Sequence, residues 1–146
     1  MLDPHDRVLL VRFRFPHGDV WATPGGGIDG GEAPVDAVRR ELQEEVGDVR
    51  AEIGPPIWTR THLFPMSDGR DGQQETIFLV RITDPNLTGA LMTAEELAAE
   101  GVIGNAWWTV DELLASEESF APTRLPALVA EILADGPPDQ PIDVGV

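Results

Sequence analysis

The stretch GGGIDGGEAPVDAVRRELQEEVG, residues 25–47, decides the architecture of this chain. It opens on Gly25, Gly26, Gly27, Gly30 and Gly31, too glycine-rich for a helix or a strand, so it reads as a loop. Pro34 suits the first position of a helix, which the pattern carries over residues 34–46, and Gly47 stands where such a helix stops. Val35, Val38, Leu42 and Val46 then share one arc, and Glu41, Glu44 and Glu45 fall on the neighbouring one. One face packs and the next is acidic. Like charges at this spacing cost about a few tenths of a kcal/mol per pair on an isolated helix. A hard cation gives them a reason to converge, because Mg²⁺ takes carboxylate oxygens together with waters and substrate phosphates. The competing reading is a solvated acidic face beside Arg39 and Arg40. The glycines favour the cation, since backbone without side chains can approach a phosphate or offer a carbonyl to a metal.

Outward from this stretch the pattern is that of a mixed α/β domain. Residues 8–15 begin as an apolar run and then alternate, with Val11, Phe13 and Phe15 on one face and Arg12 and Arg14 on the other, which predicts a strand. Trp21 to Thr23 is a short extended piece stopped by Pro24. Residues 57–62 and 76–83 are rich in β-branched and aromatic side chains and read as strands of one mixed sheet, separated by polar turns over 67–74. Thr93 and Thr109 each have a glutamate three residues on, Glu96 and Glu112, the capping-box pattern for two short helices. A last helix is expected over 124–134. The expectation is one domain over 1–135, with 136–146 a loose tail rich in Pro, Gly and Asp.

Composition narrows the function. Ten basic against 26 acidic residues give a formal charge of −16, which repels nucleic-acid polymers and anionic lipid. The same charge repels a free nucleotide unless something locally positive, such as a divalent cation, reverses the field. There is no cysteine, which removes disulfides, thiolate catalysis and Cys-based zinc sites and suits a reducing, cytoplasmic setting. No apolar run approaches the roughly 20 residues of a membrane span.

Gly26, Glu32 and the run Arg40-Glu41-Leu42-Gln43-Glu44-Glu45-Val46-Gly47 reproduce the spacing G-x5-E-x7-R-E-U-x-E-E-x-G-U, with U bulky and aliphatic. The chain therefore resembles the Nudix hydrolase family (MutT-like). The last position departs from the pattern: Asp48 stands there, and Val49 is expected to take over its packing. Trp21-Ala22-Thr23-Pro24, Gln74-Glu75-Thr76-Ile77-Phe78 and Trp107-Trp108 carry weaker similarity. The resemblance implies an α/β/α sandwich around a mixed β-sheet, holding Mg²⁺ or Mn²⁺. Carried over by position, it makes Glu41, Glu44 and Glu45 catalytic metal ligands, with Gly25 offering its carbonyl and Glu75 as a further acidic ligand. Glu32 and Arg40 are then structural, orienting the carboxylates. It also implies a strand ahead of residue 8, for which only residues 2–7 are available.

The reaction class this implies is attack of water on phosphorus in a small nucleotide-type substrate: a nucleotide sugar, a nucleoside triphosphate or a dinucleoside polyphosphate. Glu41 is the first choice of base, ahead of Glu45 and Glu75. Arg12 and Arg14 are candidate phosphate contacts, and Trp58, Arg60 and His62 candidate contacts to a base, each against a plainer surface or core role. The alternative is a non-catalytic member of the fold that senses nucleotides or binds a partner; a homodimer is one expected assembly. Gly25, Gly27 and Gly30 spell G-x-G-x-x-G, but Pro24 precedes them and the helix starts only near Pro34, so the strand-turn-helix setting of a dinucleotide fold is missing.

Overall fold

The computed structural model describes residues 1–47, 50–62, 72–86 and 92–145. Val8–Phe15 forms β1, and its first four residues are all buried because the strand is covered on both sides. Val8 and Leu10 face a core with Leu113, Leu125, Leu128, Val129 and Ile132. Leu9 turns the other way, to Leu42, Val46, Val80 and Ile82. A strand buried on both faces must be continuously apolar, which is why the run comes before the alternation. Helices therefore cover both sides of the sheet, the α/β/α sandwich expected from the resemblance.

β1 pairs antiparallel with β2 (Gly18–Ala22) and with β5 (Val102–Trp108), and β2 pairs parallel with β6 (Phe120–Ala121), giving the order β5-β1-β2-β6. The second group runs β4-β3-β7, with β3 spanning Ala51–His62, β4 Gln73–Ile82 and β7 Ile142–Asp143. Leu2 joins the two groups. Its N–H donates to Val80 O at 2.8 Å and its carbonyl accepts from Ile82 N–H at 3.0 Å, while Leu9 N–H donates to Met1 O at 3.0 Å. Residues 1–3 thus serve, as isolated bridges, where the resemblance implies a further strand. Asp3 fixes the following turn by accepting from the His5 and Arg7 amides and from the Arg7 guanidinium.

Helix α1, Pro34–Glu41, continues as a π-helical turn over Leu42–Val46, where the sequence predicts one uniform α-helix. Gly47 ends it with φ 110° and donates to Leu42 O at 2.9 Å, the five-residue span of a π turn. The helices α2 (Ala94–Ala99) and α3 (Val110–Ala115) carry the expected capping boxes on Thr93–Glu96 and Thr109–Glu112. α4 covers Leu125–Asp135. Among the described residues no helix is long and apolar enough to cross a membrane.

Two readings need correction. Strand β3 starts at Ala51 rather than 57, because Pro55 and Pro56 lie at irregular register steps, where a missing N–H is tolerated. The segment read as a loose tail returns to the sheet: β7 pairs parallel with Trp58 and Thr59, and Val144 is buried after donating to Thr59 O at 2.9 Å. Hydrogen bonds to a strand edge and one apolar anchor outweigh its Pro and Gly content. Val49 and residues 67–71 of the polar turn segment lie outside the described residues.

Leu9 is fully buried on the acidic-helix side of β1, so Leu9→Ala is expected to lower stability by about 2–5 kcal/mol in urea unfolding. A loss below about 1 kcal/mol would mean that the helix is not anchored there.

Candidate active site

The π turn and the glycine loop meet through carboxylates. Glu45 is buried, 6% exposed, and accepts from the Gly25 amide at 3.0 Å. Glu41 is 9% exposed, and its carboxyl group lies directly against Gly26, so closely that a Cβ on residue 26 would overlap it. That contact is the physical reason for glycine at 26. Gly25 itself has φ +152°, outside the ordinary range of L side chains.

Arg40 ties the loop to the helix. Its Nε and Nη2 donate to the two oxygens of Glu32 at 3.2 and 3.0 Å, and Nη2 also donates to Gly27 O at 2.7 Å. Its Nη1 donates to Glu41 at 2.7 Å and to Glu44 at 3.2 Å. Glu32 in turn accepts from the Asp29 amide at 3.1 Å, closing the loop on itself. The Arg40 guanidinium holds the Glu32 carboxyl below its usual range, and Glu32 and Glu41 together raise Arg40.

The two buried carboxylates are pushed the opposite way. Burial raises Glu41 despite Arg40, with Glu44 and Glu100 adding repulsion. Burial raises Glu45 to about 7, against the Gly25 hydrogen bond and with the help of Glu41, Glu100 and Glu44. Glu100 carries no sequence signal of its own: it caps the C-terminus of the short helix α2. It reaches the site because Met92 N–H donates to Glu44 O at 3.0 Å, laying the segment that leads into α2 beside the π turn.

Glu75 has a different setting. It sits opposite Arg60 on β4 and accepts from it at 2.7 Å and from Gln73 at 3.1 Å. Glu100, not a residue singled out from the sequence, is among the charges that raise Glu41 and Glu45. Trp58 is 4% exposed within the α4-side core, so it fills space rather than offering a stacking face. His62 ends β3 on an exposed position opposite Gln73. Arg12 lies over the Trp21 ring at 5.5 Å and pairs with Asp19 at 3.1 Å; Arg14 reaches the same Asp19 at 3.5 Å. Trp21 belongs to the α4-side core, so both arginines lie on the face of the sheet away from the acidic helix. The structure separates them from Glu41 and Glu45.

The donors gathered here are all oxygens, the set a hard cation prefers. Among the described residues no group of three or more His, Cys, Asp or Glu closes into a ready metal cage. Arg40 instead bridges Glu41 and Glu44.

Because folding raises Glu45 above its unfolded value of about 4.5, the native state holds a proton there that the unfolded chain gives up. The Glu45 contribution to metal-free stability should therefore be lost as pH rises from about 4.5 through about 7, with Glu41 acting in the same direction and the buried Met1 amine, lowered to about 6, in the opposite one above that pH. Glu32, Glu96 and Glu112, held low by Arg40 and by the Thr93 and Thr109 amides, act only at lower pH. Thermal melting in chelator should show this slope, and Glu45→Gln should flatten it. An unchanged slope in the mutant would place the proton elsewhere.

The model of the NUDIX domain family matches residues 1–128. An RNA pyrophosphohydrolase of Helicobacter pylori (strain G27) is 41% identical over 90 residues, covering 57% of this chain and 57% of the relative. The nucleoside triphosphatase NudI of Escherichia fergusonii is 40% identical over 62 residues, covering 41% and 43%. The chain thus spans little more than half the length of the curated relatives it matches. Among solved structures, the E. coli ORF135 protein superposes with a TM-score of 0.55 at 23% identity, covering 96% of this chain and 90% of that one. The NUDIX domain of Shewanella oneidensis NrtR, solved with ADP ribose, gives 0.58 at 21%, covering 87% and 77%. Both likenesses concern the fold.

Proposed function

The chain belongs to the Nudix family, whose domain model matches residues 1–128, and on that premise we propose that it is a metal-dependent pyrophosphohydrolase of small nucleotide-type substrates. It cleaves a phosphoanhydride bond in a nucleoside diphosphate linked to a further phosphate, sugar or nucleotide. The observation that carries this reading is the pair of buried, mutually repelling carboxylates, Glu41 and Glu45, set against a side-chain-free loop. Burying like charges is costly unless a cation compensates them.

Glu41, Glu44, Glu45 and the Gly25 carbonyl would hold Mg²⁺ or Mn²⁺. When bound, the ion neutralises charge on the phosphate oxygens and lowers the pKa of the attacking water. Gly25 fixes Glu45 through its amide, and Arg40 holds Glu41 in place against Gly26. Glu41 is the first candidate to accept the proton from water, a buried carboxylate that Arg40 holds against Gly26. Water then attacks phosphorus, the bridging oxygen leaves with its phosphate fragment, and Glu41 carries the proton away.

Some matched relatives bear the name RNA pyrophosphohydrolase, but the charge of this chain favours a small substrate. It has no lysine, and Arg7, Arg12, Arg14, Arg39, Arg40, Arg60, Arg81 and Arg124 each pair with a carboxylate. An RNA strand would need free cations along its track. The absence of cysteine suits a cytoplasmic setting.

With Mg²⁺, a panel of nucleoside triphosphates, nucleotide sugars and dinucleoside polyphosphates should contain a substrate, while a 5′-triphosphorylated RNA oligonucleotide is turned over poorly. Excess chelator should abolish turnover, and hydrolysis in ¹⁸O water should put label on a phosphate product. Full activity in chelator, or label on a sugar carbon, removes the proposed chemistry. Glu45→Gln keeps the acceptor for the Gly25 amide but removes charge, so turnover should fall at least about a hundredfold. The metal-free mutant should be as stable as wild type or slightly more so, and saturating Mg²⁺ should raise its melting temperature less. Equal shifts and near-normal turnover would leave the acidic face merely solvated.

A further inference from the structure

Side chains alternate along β1, and the packing of Arg12 over Trp21 fixes which face is which. Phe13 and Phe15 therefore project on the face that Leu9 presents to Leu42 and Val46, the side of the acidic helix. Their ring centroids are 6.4 Å apart with planes 33° from parallel, and Phe15 is 52% exposed. Both rings thus lie on the acidic-helix face of the sheet. Phe13 pairs with Val102, and Arg14 N–H donates to Gly101 O at 2.8 Å, so the neighbouring residue in the chain is Glu100, whose charge acts on Glu41 and Glu45.

The larger aromatic side chains are engaged elsewhere. Trp58 is in the core, Trp21 and Trp108 meet edge to face at 5.2 Å, and Trp107 carries the Arg7 guanidinium over its ring at 5.8 Å. Phe15 has an open face on the catalytic side of the sheet. We propose that Phe13 and Phe15 form the stacking platform for the base of the substrate, with its phosphates lying over Glu41 and Glu45. This rests on the phosphoanhydride reading above. Among the described residues most arginines pair with carboxylates, which leaves little positive charge to hold a nucleoside, and stacking supplies attraction without charge. Every base has a π-face, so the platform selects for a flat heteroaromatic group rather than for one base.

The test is fluorescence of a 2-aminopurine nucleoside diphosphate titrated with the whole chain in Mg²⁺, since stacking on an aromatic ring quenches this base. Wild type should quench it, Phe15→Ala and Phe13→Ala should lose most of the quenching, and Phe15→Trp should keep it. In steady-state assays Phe15→Ala should raise KM roughly tenfold while moving kcat little, the scale of one lost stacking contact. The preference for a nucleoside triphosphate over ribose 5-triphosphate should shrink by a similar factor. Quenching that survives both alanine substitutions overturns the platform. Because quenching needs no turnover, a chain that hydrolyses nothing with Mg²⁺ would overturn the function proposed above and still leave the platform decided by the dye. Unfolding midpoints of the variants verify that each remains folded.

Discussion

Arg40 is the cation on which this site turns. Its guanidinium holds Glu32 at the loop, Glu41 and Glu44 on the helix, and the Gly27 carbonyl between them. Without it, two buried carboxylates and a half-exposed third would repel with little to offset them, and the loop would have no fixed height above the helix. A planar five-donor fork suits this task in a way a lysine would not, because several acceptors must be held at set angles. The low exposure of Glu41 depends on that hold and on the bare backbone of Gly26, and Glu45 is held by the Gly25 amide.

The rest of the fold presents this arrangement to solvent. β1 is covered on both faces, and Leu9 packs beneath the π turn, so the acidic helix stands on a rigid support. The π turn changes the spacing at the end of that helix where Glu44 and Glu45 lie, and Met92 takes up the Glu44 carbonyl. This brings in the segment leading to α2, and with it Glu100. Repulsion from Glu100 is one cause of the raised carboxyl groups, which makes the charge of the site a property of two distant segments.

The two faces of the sheet divide the work. On the α4 side, Trp21, Trp108 and Phe120 form an edge-to-face cluster of rings with Arg12 over Trp21, and Arg12 and Arg14 are tied to Asp19. On the helix side lie the carboxylates and the exposed Phe15. Among the described residues most arginines of this chain of charge −16 sit in internal pairs, which is why the proposed function gives phosphate recognition to a cation and base recognition to apolar surface.

The sequence by itself determined the helix with its acidic arc, the glycine loop, the first strand and both capping boxes, because each is a local pattern whose physics acts over a few residues. It also singled out Glu41, Glu44 and Glu45 through their spacing, and the structure sets Glu41 and Glu45 against the glycine loop. Only the tertiary structure decided what lies opposite what. Strand β3 began early because register irregularities absorb Pro55 and Pro56, and residues 142–144 joined the sheet because β3 offered an open edge. Arg12 and Arg14 fell on the far face, Trp58 entered the core, and Glu100 came to act on the buried pair. Such placements follow from packing between segments far apart in the chain, and no spacing along the chain records them.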